Sequence, residues 1–388
     1  MASQPQRICL AGKNRIAVDA LLYLMERGWK DRLIVCPNRT DTGASNWQPS
    51  LIRFARAVGV EVVSLETAQK TEGLVFISLE FDRIVQPAAF KTDRLYNVHF
   101  SALPAYKGMY TSALPILHGV VQSGVTLHEI DDGIDTGPIV AQTNFDIPDE
   151  WTARDLYFAY MDRGFVLFRE NFDRLIAGAR PDAMPQQAKG STYFAKSAID
   201  YANLAINLRD TAGGIIRQLR AFSFREYQTP VVHGIEVGGW EILRTPSRER
   251  PGTLLESDSA SVTLATIDYR LRLIRSGAWD WFAVTADTPT ERLDPAFVNV
   301  PDRNGWTPLI RAAYAGNAVL TRRLLEAGAN PNLSNCNGTT PLMYALSGSN
   351  PEMIAKTLLE FGAKPKQCDR LGNDLERYHS SAFTRLGL

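Results

Sequence analysis

The sequence contains few cysteines. Its 388 residues include four, Cys9, Cys36, Cys336 and Cys368, and none of them forms a CxxC pair or lies at ligand spacing from a histidine. Scattered thiols of this kind are typical of a reducing compartment and do not indicate disulfides or a zinc site. We therefore expect no bound metal.

An excess of charge of either sign is also missing. Lysine and arginine together number 42, and aspartate and glutamate together also number 42, so the net charge is zero. General nucleic-acid binders carry a basic excess, so we expect no nucleic-acid partner and disfavour a tRNA. No apolar run approaches the roughly 18 residues of a membrane span, and the polar start at Met1–Gln6 shows no signal-peptide pattern. These absences predict a cytoplasmic protein without a membrane span.

The first half of the chain alternates strands with helices. A chain of 388 residues predicts two or three domains, and 45% hydrophobic residues fit a globular class. Strands are predicted at Arg7–Ala11, Arg32–Pro37, Glu61–Leu65, Gly73–Leu79 and Arg94–His99, and helices at Ile16–Gly28, Pro49–Val58 and Thr152–Gly178. This rhythm predicts an α/β Rossmann-like domain with a mostly parallel sheet over residues 1–190.

The first strand-to-helix turn, Gly12-Lys13-Asn14, does not carry a nucleotide motif. It matches neither the GxGxxG of dinucleotide-binding folds nor the GxxxxGKS/T of phosphate loops. Lys13 still lies at a predicted helix N-terminus, where it could help to hold a diphosphate. An ordinary exposed turn lysine fits the pattern equally well.

A different pattern begins after Pro185. A helix is predicted at Asn203–Arg220, interrupted at Gly213-Gly214. Four short alternating runs follow between residues 231 and 275 and predict a small antiparallel β unit. We assign residues 191–290 to this helix-plus-β domain.

The last part of the chain repeats itself. Asp302–Ala313 reads DRNGWTPLIRAA and Asn335–Leu346 reads NCNGTTPLMYAL, which puts Gly305 and Gly338 33 residues apart. A capping threonine, a proline in the first helical turn and this period are the features of ankyrin repeats. We expect an all-α ankyrin domain of about three repeats over residues 291–388.

Three polar residues of different chemistry indicate a site. Asn97 and His99 lie two residues apart at the end of a strand, so both point to one face outside its carboxyl end. Asp135 lies in a turn between Gly133 and Gly137. The imidazole can shuttle protons, the amide can donate to a developing oxyanion, and the carboxylate can orient the imidazole.

The trio Asn97, His99 and Asp135 has no nucleophilic serine or cysteine motif beside it, such as GxSxG. We therefore expect a substrate nucleophile to attack a carbonyl directly, through a tetrahedral intermediate. The alternative is that Asn97 and His99 only satisfy backbone groups at the start of a loop. The glycine-rich turn around Asp135 favours the site.

These motifs resemble those of the formyltransferases that use 10-formyltetrahydrofolate, over about residues 1–190. The similar segments are Asn97-x-His99, Leu103-Pro104, Lys107-Gly108 and Gly124–Ile139. The resemblance implies that an amine attacks the formyl carbon while Asn97 and His99 stabilise the oxyanion. Asp135 would keep His99 correctly charged and assist proton removal from the attacking nitrogen.

The resemblance also implies residues for both substrates and needs no metal. The folate co-substrate is expected at the loop after the fourth strand and at the Asp-Thr-Gly turn, at Phe81, Ile84, Ile130 and Asp132. Acceptor-binding residues are expected at Lys13, Lys107, Phe222 and Tyr227. The two aromatic residues lie in Arg220–Tyr227, which resembles a segment of the formyltransferases that act on nucleotide-linked amino-sugars. Either ring could stack on a thymine there or simply pack.

The family contains several acceptor specificities. The chain is too long for the enzyme that formylates glycinamide ribonucleotide, lacks the basic surface of the methionyl-tRNA enzyme, and begins directly with the catalytic domain, unlike formyltetrahydrofolate hydrolase. The remaining class formylates nucleotide-linked amino-sugars for bacterial surface polysaccharides such as lipopolysaccharide O-antigen. The ankyrin tail resembles the dTDP-3-amino-3,6-dideoxyhexose N-formyltransferases. A 3-amino or 4-amino sugar, and a gluco or galacto configuration, all remain open.

The ankyrin repeats have several interpretations. They could bind a protein partner, stabilise the homodimer that we expect, or form a nucleotide pocket from Trp306, Arg311 and Tyr314; plain packing of Trp306 fits as well. An interaction protein with a vestigial catalytic domain is the alternative to an enzyme. The presence of Asn97, His99 and Asp135 argues against that alternative.

Overall fold

The computed structural model describes residues 7–44, 47–177, 181–276, 298–302, 304–347, 350–369 and 372–387. The chain forms two compact units, residues 1–204 and residues 205–388. The predicted domain boundary between residues 290 and 291 lies outside the described residues, as do the polar start at residues 1–6 and the predicted helix end at residue 178. The predicted boundary after residue 190 stays a prediction.

The described residues of the first unit contain nine strands. They are β1 (Arg7–Gly12), β2 (Leu33–Pro37), β3 (Glu61–Val62), β4 (Leu74–Leu79), β5 (Leu95–His99), β6 (Lys107–Gly108), β7 (Gln122–Glu129), β8 (Ile139–Asp146) and β9 (Tyr193–Phe194). Seven of them form one sheet in the order β3-β2-β1-β4-β5-β7-β8, and β6 pairs with β9. The first five strands of that order run parallel, whereas β7 and β8 are antiparallel. This confirms the predicted Rossmann-like α/β fold.

The order of the strands creates a topological switch point. From β1 the chain passes outward to β2 and β3, and then returns to the other side of β1 with β4. Ligands of open α/β sheets bind outside the carboxyl ends of the strands at such a point. The crevice between the ends of β1 and β4 is therefore a binding position, and β5 is the next strand along.

Five α-helices connect these strands. They are α1 (Asn14–Glu26), α2 (Leu51–Val58), α3 (Leu65–Lys70), α4 (Leu114–Leu117) and α5 (Ala153–Ile176). Helix α5 begins with a reciprocal capping box between Thr152 and Asp155 and packs on α1 and β7. The predicted strand over residues 61–65 is too long, because the Ser64 hydroxyl accepts the backbone N–H of Thr67 and begins α3.

The second unit begins with one helix and a five-stranded antiparallel sheet. The elements are α6 (Ala212–Phe222), β10 (Val231–Val232), β11 (Ile235–Pro246), β12 (Leu254–Ser257), β13 (Ser261–Ala265) and β14 (Tyr269–Arg275). The prediction of four strands missed β12. The predicted helix over residues 203–220 starts too early, because the Thr211 hydroxyl caps α6 through the N–H of Gly214. A Cβ on Gly214 would lie 2.4 Å from the Asp210 carboxylate, so this glycine allows the cap and does not interrupt the helix.

Three helix pairs follow in the part of the second unit that the structure describes, as the repeat pattern predicts. They are α7 (Pro308–Tyr314) with α8 (Ala318–Glu326), α9 (Pro341–Ala345) with α10 (Pro351–Glu360), and α11 (Leu375–Tyr378) with α12 (Ser380–Arg385). Thr307 and Thr340 cap α7 and α9 through the backbone N–H groups three residues on. Gly305 and Gly338 have φ of +75° and +77°, which explains the repeated glycine.

Candidate active site

The carboxyl end of β5 carries two of the three predicted catalytic residues. In the antiparallel pairing with β7, Asn97 lies opposite His128 and His99 lies opposite Thr126. Side chains on one face of a strand recur every second residue, so these four side chains share a face. The strand pairing therefore places a second imidazole beside the predicted pair.

The third predicted residue, Asp135, lies in a tightly constrained turn. Its φ is +55°, in the left-handed region that few non-glycine residues adopt. The Gln186 side-chain amide donates hydrogen bonds of 2.8 Å to the backbone oxygens of both Asp135 and Gly137. A Cβ on Gly137 would lie 1.9 Å from the carbonyl oxygen of Glu129, so only glycine fits there. Gln186 and Gly137 thus hold the carboxylate of Asp135 in place.

The three predicted residues meet at this carboxylate. Oδ1 of Asp135 lies 3.5 Å from Nδ1 of His99 and accepts a 3.4 Å hydrogen bond from Nδ2 of Asn97. Oδ2 accepts the backbone N–H of Gly108 at 2.9 Å. On the other side of the imidazole, Nε2 of His99 donates to the carbonyl oxygen of Tyr106 at 2.9 Å. Since that carbonyl can only accept, the proton of neutral His99 is on Nε2 and Nδ1 faces the carboxylate.

His128 is a fourth member of the cluster that the sequence analysis missed. It is 2% exposed, and its Nδ1 donates to the backbone oxygen of Glu129 at 2.7 Å. Nε2 therefore accepts from Nδ2 of Asn97 at 3.1 Å, and it lies 3.6 Å from Oδ1 of Asp135. The alternation of Thr126 and His128 along β7 could have indicated His128. It was not sufficient, because the sequence does not reveal how β7 is aligned with β5.

Burial and neighbouring charges set the ionisation of the cluster. Burial by itself would raise the pKa of Asp135, but the two imidazoles and the N–H of Gly108 outweigh it and hold that pKa well below its usual range. Burial lowers the pKa of His99, against the raising effects of Asp135 and the Tyr106 carbonyl. The resting cluster therefore contains an ionised aspartate and, at neutral pH, a neutral histidine.

The residues predicted for the folate lie partly in an apolar wall and partly in solvent. Phe81 and Ile130 are half-buried against the cluster that contains Phe76 and Leu95. Ile84 is 74% exposed, and Asp132 is also exposed. The structure therefore packs Phe81 and Ile130 against the same apolar cluster, whereas Ile84 is exposed to solvent.

The two lysines predicted to bind the acceptor have different surroundings. Lys13 is half-buried immediately before α1, with its backbone N–H donating to the carbonyl of Leu79. Lys107 is buried in β6, and its ammonium donates to the Ser191 hydroxyl at 3.2 Å. Lys107 also precedes Gly108, whose N–H binds Asp135. Lys13 is thus the more open of the two cations.

The aromatic candidates of the second unit also differ. Phe222 is 7% exposed and belongs to the interior of its unit, whereas Tyr227 is 61% exposed, with its ring centroid 4.8 Å from that of Phe224. Only Tyr227 presents an open ring.

The ankyrin candidates Trp306, Arg311 and Tyr314 do lie together. The Trp306 ring centroid is 5.4 Å from that of Tyr314 and 4.8 Å from that of Tyr344, which the sequence analysis missed. The Arg311 guanidinium lies 5.8 Å from the Trp306 ring and pairs with Asp302.

Fold and site together define an α/β protein with an amide, an imidazole and a carboxylate grouped at the carboxyl end of a central strand. Among the described residues, no set of three histidine, cysteine, aspartate or glutamate side chains could hold a metal ion. No helix in the described part of the chain combines the length and apolar character needed to cross a membrane.

Comparison with known proteins identifies the family. The Formyl transferase family model matches residues 62–168, and a model of three ankyrin repeats matches residues 287–369. An N-formyltransferase of Helicobacter canadensis, solved with folinic acid and dTDP-3-aminofucose, is 40% identical, with a TM-score of 0.64 over 69% of this chain and 99% of its own. This chain therefore belongs to the N-formyltransferases.

Two further relatives bear on the acceptor. WlaRD, a sugar 3N-formyl transferase solved in the presence of dTDP and 5-N-formyl-THF, is 38% identical, with a TM-score of 0.64 over 70% of this chain and 98% of its own. The methionyl-tRNA formyltransferase of Xanthomonas axonopodis pv. citri is 27% identical over 69% of this chain and 91% of its own length. The chain is thus similar to enzymes with two different acceptors.

Proposed function

We propose that this enzyme transfers the formyl group of 10-formyltetrahydrofolate to the amino group of a dTDP-linked 3-amino-dideoxyhexose. The proposal rests on the cluster of Asn97, His99 and Asp135 in a chain that is 40% identical to an enzyme solved with dTDP-3-aminofucose. Identity to the tRNA enzyme is lower, at 27%, and the net charge of zero does not favour a polyanionic acceptor.

The folate co-substrate is proposed to bind at Phe81 and Ile130. Its ring system is flat and apolar on its faces, and Phe81 and Ile130 offer a half-buried apolar wall. The Arg83 guanidinium lies 4.5 Å from the Phe81 ring and holds that ring in place. The co-substrate supplies the formyl group on a nitrogen, and that nitrogen takes up a proton when its bond to the formyl carbon breaks.

Asn97 is proposed to stabilise the formyl oxygen as it gains negative charge. One N–H of its amide is held by Nε2 of His128 at 3.1 Å, and the other makes only a long 3.4 Å contact with Asp135. The second N–H is therefore available to a stronger acceptor, and an oxyanion is such an acceptor. His128 acts as a positioning residue, because its Nδ1 is fixed to the Glu129 backbone.

His99 and Asp135 are proposed to receive the proton that the acceptor amine must lose. Nδ1 of His99 has no proton in the neutral ring and faces Oδ1 of Asp135 at 3.5 Å. A proton arriving at Nδ1 turns two facing acceptors into a donor and an acceptor, and the ionised carboxylate stabilises the new charge. The pair can thus take the proton without water.

The diphosphate of the acceptor is proposed to contact Lys13. Lys13 directly precedes α1, a helix of 13 residues, so its ammonium and the helix N-terminus both favour a diphosphate. The predicted role of Phe222 or Tyr227 in stacking on a thymine stays a prediction, and Tyr227 has the more exposed ring of the two. Lys107 is assigned to the support of Gly108 and Asp135.

A panel of acceptors tests the function. Purified enzyme with 10-formyltetrahydrofolate should turn over dTDP-3-amino-3,6-dideoxyglucose or the galacto isomer faster than dTDP-4-amino sugars, glycinamide ribonucleotide or methionyl-tRNA. Faster turnover of a 4-amino sugar or of the tRNA would reassign the acceptor. Turnover of none of them, with a protein that co-purifies, would favour the interaction protein.

The wider setting is also a proposal. We infer a cytoplasmic homodimer that supplies formylated sugars for O-antigen synthesis. Light scattering of the purified chain should give twice the mass of 43.1 kDa. A monomer mass would contradict the dimer without affecting the proposed reaction.

A further inference from the structure

The crevice between β1 and β4 contains a carboxylate, Glu80, that the reaction proposed above does not use. Glu80 directly follows β4, and Gly12 at the end of β1 lies opposite Leu79. A Cβ on Gly12 would lie 1.8 Å from the carbonyl oxygen of Leu79, so only glycine allows these strand ends to approach so closely. Glu80 is therefore brought next to Lys13 at the switch point.

Glu80 also lies beside the catalytic strand. In the parallel pairing of β4 with β5, Leu79 is opposite Val98, so the next residues along are Glu80 and His99. Neighbouring strands are about 4.8 Å apart. Glu80 and His99 therefore occupy neighbouring positions at the carboxyl ends of adjacent strands.

The Glu80 carboxylate is held through one of its two oxygens. Oε2 accepts the Tyr157 hydroxyl at 2.7 Å and Nδ2 of Asn14 at 3.0 Å. The hydroxyl and the amide of these two residues are themselves 2.6 Å apart. Among the described residues, no donor binds Oε1, and the Glu80 side chain is only half-buried. One acceptor oxygen of a fixed carboxylate is thus left for a ligand.

The backbone at Glu80 is strained. Glu80 has a φ of +59° and Asn14, across the crevice, has a φ of +62°. Asparagine tolerates this left-handed region, but glutamate seldom adopts it. Strain of this kind concentrates where a side chain must be aimed at a ligand. Burial raises the pKa of Glu80 against the lowering effects of Lys13, Tyr157 and Asn14.

A carboxylate and a lysine side by side select two different parts of one ligand. The ammonium of Lys13 suits the diphosphate, which the carboxylate would repel. Oε1 of Glu80 can accept a hydrogen bond. An amino-sugar can donate one from a hydroxyl group or from its amine. The amine must lose a proton in order to attack, and a carboxylate would stabilise its protonated form. The hydroxyl groups next to the amine are therefore the partners that fit.

We propose that Oε1 of Glu80 accepts a hydrogen bond from a ring hydroxyl next to the acceptor amine and so determines which sugars align with the trio. This specificity residue rests on the proposed function, since it assumes a nucleotide-linked amino-sugar. Asn14 and Tyr157 act as positioning residues for the carboxylate. Lys13 binds the other end of the same ligand.

Deoxy analogues of the acceptor test the proposal. For the wild-type enzyme, kcat/KM should fall at least ten-fold when either the 2-hydroxyl or the 4-hydroxyl of dTDP-3-amino-3,6-dideoxyhexose is removed. In Glu80→Gln, which keeps the shape but loses the charge, kcat/KM for the intact sugar should fall about ten-fold and the discrimination against that analogue should largely disappear. Tyr157→Phe should give a smaller change in the same direction.

Control measurements separate binding from folding. Glu72→Gln removes the same charge at an exposed position before β4 and should behave as wild type. The Kd for dTDP alone and the KM for 10-formyltetrahydrofolate should be unchanged in Glu80→Gln. If Glu80→Gln keeps the wild-type discrimination, or weakens dTDP and sugar equally, Glu80 is structural and the proposal is overturned. Wild-type enzyme that formylates no dTDP-amino-sugar would overturn the proposed function first, and this assignment with it.

Discussion

The polar cluster of the first unit and the ring cluster of the ankyrin repeats are built in contrasting ways. His99 and Asp135 are held by hydrogen bonds to fixed backbone groups, Asn97 is held by the side chains of His128 and Asp135, and the Asp135 turn is clamped by Gln186. Trp306 lies among other rings at centroid distances of 4.8 Å and 5.4 Å. Backbone partners allow one geometry, whereas ring contacts tolerate several. The first cluster is suited to chemistry and the second to packing or binding.

The consequences of losing a residue should differ in the same way. In the polar cluster, deletion of one partner leaves a buried charge or donor unsatisfied, which costs more than the lost bond. In the ring cluster, Tyr314 is already 57% exposed, so deletion costs mainly contact area. Variants of the two clusters therefore test whether the clusters differ in this way.

The largest effect is expected from His99→Asn. It removes the imidazole that faces Asp135 and is proposed to take up the proton, so kcat should fall by about 10²- to 10⁴-fold. Turnover should be measured with saturating 10-formyltetrahydrofolate and dTDP-amino-sugar, and far-ultraviolet circular dichroism should show an intact fold. Near-normal turnover would remove His99 from the mechanism and end the contrast with the ring cluster.

The sequence identified the residues whose positions follow from local pattern. Asn97 and His99 were found by strand alternation, and Asp135 by its glycine-rich turn. His128 was missed because a single histidine in a strand resembles a core residue until the register with β5 is known. Glu80 was missed because the backbone that turns it has a φ of +59°, which the sequence of a predicted strand end does not reveal.

Other errors came from residues with two possible roles. Gly213 and Gly214 suggested an interruption of the helix, but Gly214 accommodates the Asp210 carboxylate next to the cap of α6. Phe222 and Tyr227 lie in one motif and the sequence does not distinguish between them. The structure does, because Phe222 is 7% exposed and Tyr227 is 61% exposed. Exposure depends on long-range packing, which local pattern does not contain.

A smaller loss is expected from Gln186→Met, which tests whether the clamp matters for catalysis. The methionine keeps similar bulk but donates neither hydrogen bond to the Asp135 turn, so kcat should fall about ten-fold. The KM values for both substrates should change by less than kcat does. Gln187→Met alters an exposed neighbour and should leave kcat unchanged. Equal kcat for the two variants would show that the turn holds Asp135 in place without the two hydrogen bonds from Gln186.

The stability of the structure around His99 in the polar cluster should depend on pH. Burial lowers the pKa of His99 from its ordinary value of 6.5, so the unfolded chain binds the proton more readily than the folded one. The free energy of opening around β5 should therefore decrease as the pH falls below about 6.5. Hydrogen exchange of β5 amides should show this decrease in the wild type and less of it in His99→Asn. The two proteins should have similar slopes above pH 7.

The smallest effect on turnover is expected from Trp306→Ala. Removal of this half-buried ring should lower the free energy of unfolding by about 2 kcal/mol through lost ring contacts, while kcat changes less than two-fold. Calorimetric titration of the full chain with dTDP tests the second predicted role, because a nucleotide site at Trp306, Arg311 and Tyr314 would add a binding event that Trp306→Ala removes. One event in both proteins would leave packing as the role of the ring cluster. A large loss of kcat in Trp306→Ala would contradict the contrast itself, since it would make a ring cluster as critical to chemistry as the hydrogen-bonded trio.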